Sequence, residues 1–346
     1  MNDVTVTQPV GPVRQRGSVA LFFLLFLIPL LSFGALAIDI AWVVTVNNQL
    51  QNAADAAALA GADAMMSPSG GAVNWSQAAP AANGVIALNS AAGAALSTGT
   101  VTTGYWNVTR SPASMQPTTI TPGTYDVPAV QVTVSRAPGV NGGSIPLLLA
   151  GLLGIPGASD SATAVAVLAA PGGIGAGGLF PVAIDQCVYN LYWNAATNQP
   201  LINPLTGQPF EFSITNGQIY GLLCMGGQWT SFQSTATDAS TIAGLMATGN
   251  PTTLNIGDSI NLATGSKTAL YASVPVGTTV VVPVVTQTAT STTVPIVAFA
   301  PFHIDVSLGG SSKYIQGHFV AGVKMTGVAT GVGPYYGVYV PPRLAF

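Results

Sequence analysis

The stretch SVALFFLLFLIPLLSFGALAIDIAWVVTVNNQLQNAADAAALAGADAMM, residues 18–66, decides the fold. Between Arg16 and Asp39 no side chain is ionisable. As a helix, residues 18–38 would span about 31 Å, close to a hydrocarbon core of about 30 Å. Pro29 removes one backbone donor within this run, a loss that membrane helices tolerate. Arg14 and Arg16 precede the run, and no Lys or Arg follows until Arg110. This bias assigns residues 1–17 to the cytoplasm, 18–38 to the membrane and the remainder to the far side. Arg14, Arg16 and Asp39 are the expected membrane-boundary residues. Asp39 reads either as a helix-end residue among lipid headgroups or as a charge paired with a partner's cation or backbone during assembly, since buried charges demand partners. A cleaved signal peptide competes with the anchor, because Ala35-Leu36-Ala37 has the A-x-A form preferred at cleavage sites. Both readings export the rest of the chain.

No helix stop follows Asp39 before Ser67-Pro68. Ile38, Trp42, Val46, Leu50, Ala53, Ala54 and Ala57 recur at three- and four-residue spacing, with Asn48, Gln51, Asn52 and Asp55 opposite. This is an amphipathic helix pattern. It predicts one continuous helix over residues 18–66, about 70 Å long; two helices broken near Asp39 are the alternative. The small residues Ala53, Ala57, Ala60 and Gly61 would let another helix or a sheet approach closely.

Composition narrows the function. Only 5% of the 346 residues are charged and the net charge is −3. Eight basic residues cannot supply the clustered cations a nucleic-acid binder needs. Charge-rich disorder is excluded by 49% hydrophobic content. A surface so poor in charge fits a protein held at a membrane or inside an assembly.

Residues 67–83 read as a loop and 84–96 as a weak second helix. Residues 101–108, 129–134 and 161–168 alternate apolar and polar side chains, as half-buried strands do. Residues 145–155, IPLLLAGLLGI, are too few to span a bilayer and read as a short packed helix. Residues 39–170 thus form an α+β unit, the long helix laid on a small antiparallel sheet. The glycine run 171–178 reads as a linker. Residues 179–346 carry many short strands between turn residues and read as a β-rich, sandwich-like or irregular barrel domain.

Candidate chemistry is sparse. Cys187 and Cys224 would meet an oxidising compartment after export, where a disulfide is expected; separate buried thiols are the alternative. His303, His318 and Asp305 could in principle bind a metal, but their spacing fits no metal signature. Gly310-Ser311-Ser312-Lys313 and Gly265-Ser266-Lys267 match no serine-hydrolase arrangement. No catalytic residue, metal or cofactor is expected. The Tyr105/Trp106 and Tyr335/Tyr336/Tyr339 groups read as core or strand-face residues.

Residues 14–62, from Arg-Gly-Ser-Val-Ala through LQNAADAAALAGA, resemble the N-terminal segment of TadE/TadG-like proteins of the Tad, or Flp-type, pilus system. Residues 295–304, PIVAFAPFHI, and 314–320, YIQGHFV, are similar to the family's C-terminal β region. The resemblance implies a pilin-like fold and an inner-membrane-anchored, non-enzymatic, minor-pilin-like component of pilus assembly. It implies as partners the bilayer, pilin-like subunits and an inner-membrane platform, with no nucleic acid and no small-molecule substrate. Two departures stand. Phe22, not Glu, is the fifth residue after Gly17, so prepilin-peptidase processing is not supported. Asp238-Ala239-Ser240-Thr241-Ile242 lacks the second Ser of the metal motif in the von Willebrand factor A insertion of longer members. The alternative is a secreted, β-rich adhesion or surface-binding protein released after Ala37.

Overall fold

The computed structural model describes residues 18–345 except 67–70, 124, 216–217, 222–223, 264, 266, 289–292, 326–328 and 331. Arg14 and Arg16 lie outside the described residues. Helix α1, Ser18–Ala64, runs 47 residues without interruption, with Pro29 inside it. The break considered near Asp39 does not occur. Its first half is exposed to the surroundings, with Phe22, Phe26 and Phe33 all open. From Val46 onward a stripe of Leu50, Ala53, Ala54, Ala57, Ala58 and Ala62 is fully buried.

That stripe packs on helix α2, Ala78–Ile86, and on an antiparallel sheet. The sheet contains β1 Thr100–Asn107, β2 Asp126–Arg136 and β3 Asp160–Val167. Val130, Val132 and Val134 of β2 and Ala162, Ala164 and Ala166 of β3 face the helix. Val127, Ala129, Val165 and Val167 face the other way. The period-two alternation of the sequence is thereby used on both faces. A side chain at Gly61 would begin 3.1 Å from the Ala78 carbonyl oxygen and from Val130 Cγ1, so the contact requires small residues.

The small residues expected to admit another helix or a sheet meet both within the chain itself. Ala53, Ala57 and Gly61 are buried within the chain's own unit, and only Ala60 is partly open. Their small size brings α1 onto its own sheet and α2. Ala57→Leu is accordingly expected to lower the stability of this unit by about 1–3 kcal/mol through overpacking, read from denaturant unfolding in detergent.

Three other expectations change. The second helix starts at Ala78 rather than residue 84 and ends at Ile86. Pro80 falls in its first turn, where a missing N–H costs nothing. Residues 145–155 are not a packed helix: Ile145–Pro146 pairs with Gly157–Ala158 as a hairpin, with a 3₁₀ turn at Ala150–Leu153. Nor is the glycine run 171–178 a tether. Gly173–Ile174 pairs with Leu254–Asn255 and Ala329–Thr330, and most of residues 169–175 is buried.

The second half is β-rich, as read. It contains β4 Val182–Asp185, α3 Gln186–Tyr192, β5 Phe212–Ile214, β6 Gln228–Phe232 and α4 Ala239–Thr248. Then follow β7 Ser259–Leu262, β8 Thr278–Val285, β9 Thr293–Leu308 and β10 Tyr314–Phe319. Strands β4, β6, β7, β9 and β8 pair in that order, and β8 returns to β4 in parallel, Val284 opposite Ile184. The ring is closed, so these five strands leave no free edge between them. Ala183, Phe232, Ile260, Leu262, Val281, Val285 and Phe299, drawn from all five, form one cluster. A second cluster joins the opposite faces of β4, β6, β8 and β9 to α3, β5 and β10. Asp185 caps α3 by accepting from the Cys187 N–H at 2.9 Å, and Asp238 caps α4 from Thr241 at 3.0 Å.

The two halves interlock. The terminal strand β11, Arg343–Leu344, returns to pair with β3, giving a first sheet of order β11-β3-β2-β1. Tyr339 packs into the helix–sheet core. The division at residues 171–178 thus separates two cores but not two independent chain segments.

Candidate functional site

Asp39 lies one residue beyond the segment that fits the bilayer, yet it faces neither headgroups nor water: it is 4% exposed. Its carboxylate accepts from three successive backbone N–H groups of the 145–158 hairpin. Leu148 donates to Oδ1 at 2.7 Å, Leu149 at 3.1 Å, and Ala150 donates to Oδ2 at 2.6 Å. Hydrogen bonds to a charged acceptor are the stronger kind. One turn further on, the Trp42 indole N–H donates to the Pro146 carbonyl at 3.0 Å. Of the two readings of Asp39, the demand for a backbone partner is met, but by a loop of the same chain over a hundred residues away.

A second buried charge holds the entrance of the same hairpin. Arg136, 2% exposed at the end of β2, donates to the carbonyls of Ala91, Gly142, Gly143 and Ser144. Gly142 has φ +83°, and a Cβ there would meet Ala94, so this turn requires glycine. At the exit, Asn47 Nδ2 donates to Asp160 Oδ2 at 3.0 Å. Helix α1 is thus bonded to the first arm and the turn of the hairpin and to the start of β3 just beyond its second arm.

Asp39→Asn keeps an acceptor oxygen but loses the charge, and Asp39→Ala loses both. Amide hydrogen exchange at Leu148, Leu149 and Ala150 is expected to quicken in the order wild type, Asn, Ala, with α2 amides unchanged. Equal exchange in all three proteins would show that the bonds do not hold the loop.

The other candidate positions lie around the joint between the halves. A cavity of about 330 Å³ is lined by Asp126, Tyr189, Trp193, Asn198, Tyr335 and Tyr336, among others. Tyr189 stacks on Tyr336 at 3.9 Å, and its hydroxyl is buried without a hydrogen-bond partner. Burial, with the neighbouring Tyr336 and Tyr335 phenols, pushes the Tyr189 phenol well above its ordinary range. Burial and nearby Asp63 push Tyr339 up to about 12. Burial would raise Asp126, but hydrogen bonds from Gly123, Gln116 and Asn107 outweigh it and hold the carboxyl below its ordinary value. Lys324 pairs with Asp63 at the foot of α1. Of the aromatic residues read as core or strand-face, Tyr105, Trp106 and Tyr339 are buried, and Tyr335 and Tyr336 are half-buried at the cavity.

His303 and His318 are cross-strand partners on β9 and β10, with Asp305 beside them. Thr279 Oγ1 bonds His303 Nδ1 at 2.9 Å and Asp305 bonds His318 Nδ1 at 2.7 Å. Among the described residues no group of three or more His, Cys, Asp or Glu is arranged to hold a metal ion. Cys187, on α3, is disulfide-bonded to Cys224 across a Cα separation of 5.4 Å. The hairpin clamp was invisible to sequence reasoning; its nearest signal was the absence of any ionisable residue between Arg136 and Asp160.

Among the described residues one helix is long and apolar enough to cross a membrane, which fits a single-pass anchor. Residues 17–64 match the Tad family, described as Flp pilus-assembly TadE/G-like, and residues 45–166 match the Tad_C family, described as Tad-like Flp pilus-assembly. No curated protein and no solved structure matches the chain. The two matched segments overlap along α1 and together take in the anchor helix, the clamp and the helix–sheet unit, so this part of the chain is similar to TadE/G-like proteins of Tad/Flp pilus assembly.

Proposed function

We propose that this protein is a non-enzymatic, minor-pilin-like component of the Tad/Flp pilus machinery. Its N-terminus is cytoplasmic and the bulk of the chain is periplasmic or extracellular. The observation that carries the reading is the continuity of α1, which makes the anchor and the spine of the helix–sheet unit one rigid element. A pull or rotation in the bilayer is transmitted directly to the exported unit. Because Ala53, Ala57 and Gly61 are already consumed, contacts with other pilin-like helices fall to the open apolar surface of α1 between Val19 and Val44. The β-rich half supplies contacts in adherence. The similarity to pilus-assembly families supports a structural rather than catalytic role, with other pilus-assembly proteins as the partners.

Site-directed photocrosslinking from Phe33 in the native host tests this. Adducts with pilin-like subunits, together with loss of surface pili on deletion of the gene, are expected. Normal piliation in the deletion strain and no adduct would overturn the role. Mass spectrometry of the mature N-terminus separates anchor from secretion: Ile38 as first residue would favour a released adhesion protein.

A further inference from the structure

Leu148 and Ile155 sit at the tip of the 145–158 hairpin and are 61% and 57% exposed. Residues 137–159 contain no ionisable side chain. An exposed apolar tip is a liability in water unless it meets something apolar. Here the tip is held rigidly in its exposed position, by Arg136 at the entrance, Asp39 at the turn and Asn47 through Asp160 at the exit. Two buried charges are spent on fixing a loop that buries Ile145 at its base yet leaves Leu148 and Ile155 open.

The clamp also sets the height of the loop. Leu148, Leu149 and Ala150 are within hydrogen-bond distance of Asp39, one residue past the end of the apolar segment 18–38. The helix remains apolar and exposed beyond that level, at Ile40 and Val44. Trp42 stands at the same level, its N–H satisfied by Pro146, with the amphipathic ring typical of membrane–water interfaces.

We propose that the 145–158 hairpin is a second membrane contact, its tip inserted into the interfacial zone of the leaflet from which α1 emerges. The occupant of this surface is lipid, because the tip is continuous with the lipid-facing surface of α1 and carries no charge to be desolvated on entry. With one helix and one hairpin in the same leaflet, the tilt and rotation of the exported unit about the helix axis are fixed. A lone transmembrane helix leaves that rotation free.

The proposal rests on α1 being a membrane anchor, and the test reads the two separately. The two cysteines are disulfide-bonded, so a single cysteine introduced by Leu148→Cys can be labelled with an environment-sensitive fluorophore in the full chain. The chain is reconstituted into vesicles of phosphatidylethanolamine and phosphatidylglycerol. Phe26→Cys reports the anchor, and Leu205→Cys, in an exposed loop of the β-rich half, reports water. The expected result at Leu148 is blue-shifted emission, loss of iodide quenching relative to Leu205, and quenching by a nitroxide placed shallowly in the lipid. Adding Asp39→Ala should return iodide quenching to the Leu148 label. If the Phe26 label is in lipid while the Leu148 label is quenched by iodide as fully as Leu205, the hairpin proposal fails and the anchor stands. Protection of Leu148 from both iodide and lipid nitroxide would mean a protein covers the tip, which also overturns it. A Phe26 label quenched by iodide would overturn the anchor itself.

Discussion

Leu50→Ala is expected to destabilise the helix–sheet unit by about 2–5 kcal/mol, the range for deleting a buried leucine side chain. Leu50 is fully buried on the α1 stripe and shares its cluster with Val130, Val132 and Ala164 of the sheet. Most neighbours along the stripe are alanines, whose side chains cannot move to fill the space. The sheet cannot collapse inward either, because β2 is bonded on both sides by β1 and β3. The cost should therefore fall toward the upper part of that range. Denaturant unfolding in detergent should show a lower midpoint with an unchanged slope. Leu88→Ala, at a position 85% exposed, is the control and should shift stability by no more than about 0.5 kcal/mol. A Leu50→Ala protein as stable as the control would mean that α1 does not pack on the sheet as described.

The second large effect is expected from the disulfide. Replacing both Cys187 and Cys224 by Ser should cost the β-rich half about 2–5 kcal/mol. Cross-linking positions 37 residues apart restricts the unfolded chain, and the chain-entropy estimate for such a loop is about 4 kcal/mol. The bond also ties α3 to the strand Cys224–Met225 at the edge of the larger core cluster. A reductant should lower the unfolding midpoint of the wild type to that of the double variant and leave the variant unmoved. Equal sensitivity of both proteins to reductant would show that the loss has another origin.

How much of this was legible follows from the range of each signal. Helix α1 was legible because its evidence is local: an uninterrupted apolar run, then three- and four-residue spacing of Trp42, Val46, Leu50 and Ala57. Strands β1, β2 and β3 announced themselves by alternation. The start of α2 was hidden because Pro80 looks like a breaker, although in a first turn it is harmless. Helices α3 and α4 begin at Asp185 and Asp238, which cap them, and are too short for periodicity to reveal. Residues 296–299 and 302–306 read as two strands, yet both belong to the one strand β9, because β8 pairs with it without a break through Ala300 and Pro301.

The clamp and the ring closure were out of reach for a different reason. Asp39 pairs with amides 109 to 111 positions away, and Ile184 pairs with Val284, so both depend on contacts that no local pattern encodes. The small residues Ala53, Ala57 and Gly61 were correctly read as marking close approach, but composition cannot say which surface approaches. The structure supplies the surface: the chain's own β2, β3 and α2.

The account depends on α1 being one rod from lipid to spine. Paired nitroxides introduced by Leu31→Cys and Asn52→Cys, both on exposed positions of the helix, measure this directly in the reconstituted full chain. Twenty-one residues of unbroken helix separate them by about 32 Å. A narrow distance distribution near that value, in membranes, is the predicted result. A broad or markedly shorter distribution would place a hinge between bilayer and sheet and contradict the account.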